Sequence, residues 1–439
     1  MVEKFFKIKE SGSTVRIELL GGLTTFLTMS YIIFLNPAIL SGELAGQETG
    51  LSFEAAMLAT CLAAAVATIL MGLLANYPIA QAPGMGENFF FVTVVIALME
   101  HQIANAWQVA LGVVFIAGVI FLILSLFRFR KVIIESVSPS MRNGIAVGIG
   151  LFIAFIGLKN TGLIQTSVEG LSLNRDIKDP KLIIFFIGLF VMAALQVRKV
   201  RGAILLGMVI TTIIALVWGQ TEWEGALGLP KETAFFAMDL KGAFSIFCLQ
   251  FIIIFLFMDM FDTVGTLIGV GEQGGFIKDN KLPRANQALV SDAVGTVFGA
   301  AAGTSTVTSF IESTVGIAYG ARTGLANCAT GILFLLALFF VPLAGMIGNY
   351  APITAPALVL VGAMMARNVL KIDWSDYSEA IPAFLAMVGI PLSCNIADGF
   401  ALGFISYTII KLLAGKGREV SFFMYLVSIL FILRYVYLG

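Results

Sequence analysis

The stretch AQAPGMGENFFFV, residues 80–92, opens an apolar run with three residues that a membrane helix resists: Pro83, Gly84 and Gly86. A counterpart, AAGTSTVTSFIESTVGI at residues 301–317, opens in the same way with Gly303, Thr304, Ser305, Thr306 and Thr308. Backbone that leaves the helix at membrane depth is tolerated only where protein or a water-filled cavity satisfies its polar groups. Each stretch therefore reads as a short strand leading into a half-helix, its free N–H groups and positive dipole end aimed at a central site. Small residues that let helices pack closely would explain either stretch alone. Two at matching positions point to a site.

The surrounding composition sets the solvent. Hydrophobic residues make up 59% of the 439 and charged residues 12%, against about 45–50% and about 25% in soluble domains. Mean hydropathy is +0.96. The apolar residues fall in runs of roughly 16–25, each long enough to cross a hydrocarbon core of about 30 Å. A formal net charge of zero gives no sign of a nucleic-acid partner. Cys61, Cys248, Cys328 and Cys394 stand singly in apolar runs, so neither a metal site nor a disulfide framework is expected, and all four read as small buried side chains. The polar start, Met1 to Arg16, does not read as a signal peptide.

With Gly, Pro and charge as punctuation, spans fall near 17–40, 54–75, 80–98, 107–127, 140–158, 181–197, 202–218, 244–270, 286–301, 304–321, 322–346, 353–367, 377–394 and 397–414. That is an all-α polytopic membrane protein of fourteen spans, with short strands in the third and tenth. Phe422 to Tyr437 is either a fifteenth span or a helix lying in the interface. With the N-terminus inside, the inner segments carry 20 Lys and Arg, among them Arg128, Arg130, Lys131, Lys278 and Lys281, and the outer segments 6. This is the bias expected of cytoplasmic loops. The two polar openings each take third place in a block of seven spans. Seven is odd, so the second block crosses in the opposite sense, as in inverted-repeat transporters.

The intramembrane acids carry the chemistry. Asp259 and Asp262 are spaced i, i+3 on one face of the eighth span. Glu312 follows the tenth-span opening, and Glu87 and Asn88 follow the third. A charge at the bilayer centre costs at least about 2.5–3.5 kcal/mol, and no Lys or Arg is expected at that depth, so these acids read as a protonatable substrate site. Their sign disfavours an anionic cargo and suits a cation, or a neutral molecule rich in N–H donors carried with a proton. Asn88 can donate and accept, and Phe89, Phe90, Phe91 and Phe261 could stack a flat ring or simply pack. Gly269-Val-Gly271-Glu-Gln-Gly274 spells G-x-G-x-x-G but follows an apolar helix and is expected in a cytoplasmic turn, so it is set aside. His101 reads as an interface residue. No nucleophile with a paired base is readable, so no enzyme chemistry is expected.

The runs GGLTTFLTMSYIIFLNPAIL (21–40), APGMGENFFF (82–91), FMDMFDTVGTLIGV (257–270) and GTSTVTSFIESTVGIAYGARTGLA (303–326) closely resemble the azaguanine-like branch of the nucleobase/ascorbate transporters, permeases for adenine, guanine and hypoxanthine. The resemblance implies proton symport with no further cofactor, a core domain of spans 1–4 and 8–11, and a gate domain of spans 5–7 and 12–14. That division puts residues 1–139 and 244–351 in the core, 140–243 and 352–414 in the gate, and 415–439 in a C-terminal helix. It also implies substrate-binding or coupling roles for Asn88, Asp259, Asp262 and Glu312, and often a homodimer through the gate. Thr304 and Ser305 join the expected substrate site as part of the tenth-span opening. Glu87 departs from the family, which commonly has an apolar residue there, and FFFV departs from its Tyr-containing run; Glu87 is thus an additional candidate for the substrate site. The expectation is a purine importer of the inner or plasma membrane with a cytoplasmic N-terminus, working by alternating access. The alternatives are a channel or an anion exchanger on the same scaffold.

Overall fold

The computed structural model describes residues 2–44, 46–126, 137–167, 170–176, 178–277 and 282–437. Arg128, Arg130, Lys131, Lys278 and Lys281 of the charge count lie outside the described residues. The chain is mostly helical, and eight of its helical segments are long and apolar enough to cross a membrane, Val15–Leu40 and Ile246–Gln273 among them. Serines begin three of the long helices: Ser52, Ser138 and Ser245 each accept a backbone N–H from three residues on. Each satisfies one of the four donors that a helix start leaves unpaired.

Two expected spans are broken. The first divides into Val15–Met29 and Ile32–Leu40. Before the break, Thr24 and Thr28 turn their hydroxyls back onto the carbonyls of Leu20 and Thr24, both at 2.7 Å. Such back-bonding bends helices, and here it precedes Ser30 and Tyr31, where the helix gives way. The expected span at 322–346 divides into Gly324–Ala337 and Val341–Gly348, because Pro342 suits a helix start and not an interior. The loop that contains Gly228 crosses this break, Gly228 N–H donating to the Phe339 carbonyl at 2.9 Å.

The helices pack in two groups. In one, Val15–Met29 and Phe53–Leu70 both lie against Gly324–Ala337, while Ala285–Ala302 lies against Phe53–Leu70 and Ala106–Leu126. In the other, Pro139–Asn160 lies against Ala351–Ala366 and Tyr377–Ser393, and Tyr377–Ser393 against Ile396–Leu413. Glycine sets the closest approach in each. A Cβ on Gly324 would stand 1.9 Å from the Gly72 carbonyl oxygen, and one on Gly362 2.3 Å from that of Gly150. Backbones this close gain dispersion contacts that lipid cannot replace.

The C-terminal helix, Phe422–Tyr437, runs antiparallel along Ile396–Leu413. Three polar pairs fix this direction: Lys411 with Glu419 at 2.8 Å, Thr408 with Ser428 at 2.7 Å, and Asp398 with Arg434 at 3.1 Å. Just outside it, Lys416 donates to Asp376 at 2.8 Å and holds that carboxyl well below the usual range. Cys61 and Cys248 are buried as expected, whereas Cys394 is exposed and Cys328 half-buried. Cys394 stands past the end of Tyr377–Ser393 in the left-handed region, where no neighbour covers it.

Two short strands place the site. β1 (Gln81–Pro83) pairs antiparallel with β4 (Val307–Ser309), with Ala82 opposite Thr308. Each follows a chain break: β1 comes after a π turn, Met71–Ala75, that stops at Asn76, and β4 after Gly303 at φ 111°. A separate hairpin, β2 (Ile164–Ser167) and β3 (Gly170–Leu173), sits in a loop far along the chain from the site.

Candidate functional site

Each strand of the central pair runs into a helix. β1 leads through Gly84 into Met85–Glu100, and β4 leads through Phe310 and Ile311 to Ser313–Tyr319, which begins at Glu312. Gly84 carries no side chain to cap its helix, so the first-turn donors face inward. Its missing Cβ is required: it would lie 2.2 Å from Glu87 Oε2 and 2.7 Å from Thr308 Cγ2. Glu87 folds back over the start of its own helix because that space is free.

Between the two helix starts and the broken first helix lies a cavity of about 140 Å³, lined by Tyr31, Glu87, Asp262, Thr308, Glu312 and Met365 among others. Drug-sized sites begin near 300 Å³, so this one is scaled to a small molecule. Tyr31 donates to Glu312 Oε1 at 2.7 Å, and the Thr308 hydroxyl shares a hydrogen bond with Asp262 Oδ2 at 3.1 Å. Among the described residues no Lys or Arg lines it. The Arg142 guanidinium lies over the Phe261 ring at 5.6 Å, beside the residue that precedes Asp262.

The sequence-predicted residues divide into two layers. Glu87, Asp262 and Glu312 face the cavity; Asn88, Asp259, Thr304 and Ser305 are buried behind it. Asn88 accepts from the Ser305 hydroxyl, and Asn36 donates to Thr304 Oγ1 at 2.9 Å. Asp259 accepts from Thr296 at 2.8 Å, and the same hydroxyl takes the Val307 N–H at 3.0 Å. The rear layer thus ties the strand pair to the helices that carry it.

The stacking alternative for the phenylalanines is not what the structure provides at this cavity. Phe90 packs on Phe255 at 4.6 Å, Phe89 on Phe152 at 6.1 Å, and Phe261 on Phe257 at 5.3 Å, and none of them lines the acid cavity. Phe89 and Phe152 instead help to line a second, mainly apolar cavity of about 180 Å³ with Ile96 and Lys159. The helix Met85–Glu100 therefore lines the acid cavity with its first turn and the apolar cavity with the turns that follow. His101 caps the end of that helix, exposed and against Phe247 at 4.3 Å. The G-x-G-x-x-G run is not a turn: Ile246–Gln273 continues three residues past its expected end and keeps Gly269 and Gly271 helical.

Two residues of the site escaped the sequence reading. Asp292, fully buried on Ala285–Ala302, accepts from Gln81 Nε2 at 2.6 Å and from Thr263 at 2.7 Å. It is an acid in an apolar run, and the reasoning that singled out Asp259 applies to it equally. Tyr31 had no such signal, since its partner Glu312 is 281 residues away.

Comparison with known proteins gives the family and the fold. The Permease family matches residues 16–402. A putative permease of Methanocaldococcus jannaschii is 46% identical, covering 100% of this chain and 99% of its own length. The guanine/hypoxanthine permease PbuG of Bacillus subtilis is 42% identical over 100% of both chains. The adenine permease AdeP of Escherichia coli is 40% identical over 100% of this chain and 96% of its own. Among solved structures, the transmembrane domain of the cyanobacterial bicarbonate transporter BicA superposes with a TM-score of 0.62 at 18% identity, covering 87% of this chain and 97% of that one. SLC26A9 gives 0.63 at 12% identity over 91% of this chain and 66% of that one. At such identity the structural likeness speaks for the fold alone. The full-length sequence matches decide the family: this multi-pass membrane protein belongs to the Permease family, in the branch of the adenine and guanine/hypoxanthine permeases.

Proposed function

We propose that the protein imports purine nucleobases by proton symport. The observation that carries this reading is the small cavity in which Glu87, Asp262 and Glu312 converge, with no Lys or Arg lining it among the described residues. A carboxylate can accept paired N–H groups from a heterocycle, and a neutral purine needs no counter-charge. Each acid in the cavity exchanges one proton, which supplies the coupling ion, and no metal or organic cofactor is called for. Bicarbonate or another anion would meet like charge in this cavity, so the likeness of fold to anion transporters does not extend to the cargo. The names of PbuG and AdeP support a purine.

In this reading the two packed helix groups are the core and the gate, and the core moves against the gate in alternating access. Gly86 of the acid cavity packs closely on Ile149, and Phe89 and Phe152 pack on each other at the apolar cavity. The protein sits in the inner or plasma membrane with a cytoplasmic N-terminus and fourteen crossings before the C-terminal helix. The antiparallel pairing of Phe422–Tyr437 along its full length with Ile396–Leu413 favours a fifteenth crossing over an interfacial helix. A homodimer through the gate is part of the proposal. The deciding experiment is uptake of labelled hypoxanthine, guanine, adenine and uracil into proteoliposomes. An inward gradient of one pH unit is worth about 1.4 kcal/mol per proton, hence about tenfold accumulation at one proton per purine. No purine accumulation with the gradient imposed would overturn the reading.

A further inference from the structure

A row of four side chains leads from the cavity into the protein. Asp262 Oδ2, Thr308 Oγ1, Thr263 Oγ1 and Asp292 Oδ1 follow one another at 3.1, 2.9 and 2.7 Å. Asp262 and Thr308 line the cavity, while Thr263 and Asp292 are fully buried. Three oxygen-to-oxygen contacts at these distances need three protons, one in each. The two hydroxyls supply two. If both acids were ionised, each threonine would point outward and the two hydroxyl oxygens would face one another at 2.9 Å with only lone pairs between them. The third proton must therefore sit on one of the two carboxyls.

We propose that this row is a proton relay, and that Asp292 is an inner station for the coupled proton; this rests on the proton-symport reading above. With the proton on Asp262, that carboxyl donates to Thr308, Thr308 to Thr263, and Thr263 to Asp292. Transfer moves all three in one direction: the Asp262 proton goes to Thr308 Oγ1, the Thr308 proton to Thr263 Oγ1, and the Thr263 proton to Asp292 Oδ1. Asp262 ends ionised, Asp292 ends neutral, and each threonine again holds one proton with its donor direction reversed. Net charge is conserved, and the cavity becomes more negative by one.

The neighbours hold the inner half of the row in place. Gln81 Nε2 donates to Asp292 Oδ1 at 2.6 Å, and the Ser309 N–H reaches Thr263 at 3.4 Å. Gln81 and Ser309 are the facing residues at one end of the β1–β4 pair, and Thr308 is in β4. Asp292 faces the Asp259 carboxyl, and Asp292 Oδ2 and Asp259 Oδ1 are both buried without a donor, so a proton arriving at Asp292 can be shared between these two acids. Among the described residues, the elements packed around the row carry Asp259, Cys248 and Glu272 on Ile246–Gln273, Glu54 and Cys61 on Phe53–Leu70, Glu87 and Glu100 on Met85–Glu100, Tyr31 at the break of the first helix, and Glu312 and Tyr319 on the tenth segment, all of them acids or weaker proton donors. The helix Pro139–Asn160 carries two cations, Arg142 over the Phe261 ring and Lys159 at its far end. Because the relay runs through the strand pair, the proton's position is coupled to the backbone that presents both helix starts to the cargo.

The test is Thr263→Val, which removes one link at nearly constant volume, beside Thr263→Ser, which keeps the hydroxyl. Under an inward gradient of one pH unit, accumulation in proteoliposomes should fall from about tenfold in the wild type to near unity in Thr263→Val and return in Thr263→Ser. Exchange of internal unlabelled for external labelled hypoxanthine reports that the Val variant still holds cargo. Gradient-driven accumulation by Thr263→Val equal to wild type would overturn the relay. Infrared spectroscopy provides a readout independent of transport: the wild type should show a protonated-carboxyl band that shifts in Thr263→Ser and is lost in an Asp262→Asn, Asp292→Asn double variant. A carboxyl band insensitive to all these substitutions overturns the relay even if the wild type fails to accumulate purine, an outcome that would separately sink the symport reading.

Discussion

The two broken segments meet at one cavity but are built differently. In the first half, Gly84 opens a helix of 16 residues, and Glu87 of its first turn folds back over the start. In the second half, Glu312 itself stands at the start of a helix of 7 residues, and its carboxylate is held by the phenol of Tyr31 from the broken first helix. One acid is accommodated by an absent side chain; the other is oriented by a present one. A small side chain is thus essential on one side, and a specific hydrogen-bond donor on the other. Similar pairs of broken helices can therefore present differently controlled acids to one ligand.

The strongest way to break this comparison is to remove the oriented acid. Glu312→Gln should lower gradient-driven purine uptake by two orders of magnitude or more, because the amide cannot carry the coupled proton. Asp259→Asn in the rear layer should approach the same loss. Normal accumulation in either variant, at wild-type membrane levels, would place that acid outside the mechanism.

Filling the space at the other helix start comes next. Gly84→Ala puts a methyl where Glu87 Oε2 and Thr308 Cγ2 now lie. Overpacking of this kind costs about 1–3 kcal/mol, so purine affinity should drop roughly tenfold to a hundredfold. Equilibrium binding of labelled hypoxanthine in detergent measures this, and an unchanged Kd would show that Glu87 can move aside freely. Asn88→Ala should weaken the same binding by a similar factor, about 1–3 kcal/mol, through the unpaired Ser305 hydroxyl it leaves.

Tyr31→Phe separates orientation from charge. It deletes the 2.7 Å bond to Glu312 and keeps the ring, a loss of about 1.5–3 kcal/mol for a bond to a charged group and less for a neutral one. Uptake should fall about tenfold with its dependence on external pH displaced, and a pH profile superimposable on wild type would contradict the role given to the phenol. The smallest effect belongs to Glu87, the acid without an orienting partner side chain. Glu87→Gln and Glu87→Leu should both stay active within about threefold, the first with a flatter pH profile and the second with an altered ranking of purines. If neither profile nor ranking moves, Glu87 is only a tenant of the space left by Gly84.

At the scale of the fold, the sequence was legible wherever the signal was local. Apolar runs of membrane length, the charge bias of the loops and the helix-resisting residues at 80–92 and 301–317 are all properties of short windows. The breaks at Ser30–Tyr31 and Leu338–Phe340 were less visible, because hydroxyl back-bonding and a proline among apolar residues barely alter hydropathy. Acids in apolar runs were equally readable, since the cost of burying a charge depends on depth and not on what lies opposite.

What only the tertiary structure decided is which acids share a cavity and which lie behind it. Asp259 and Asp262 are three residues apart on one helix, yet one faces the cavity and the other faces Thr296. The pairing of β1 with β4 brings together chain segments more than two hundred residues apart, and with them Gln81, Thr308 and Ser309 around Asp292. Tyr31 reaches Glu312 only because the first helix breaks beside the tenth segment. Hydropathy and charge record the solvent each residue meets; the partner of a hydrogen bond is set by the geometry of the folded chain, and no window of sequence contains it.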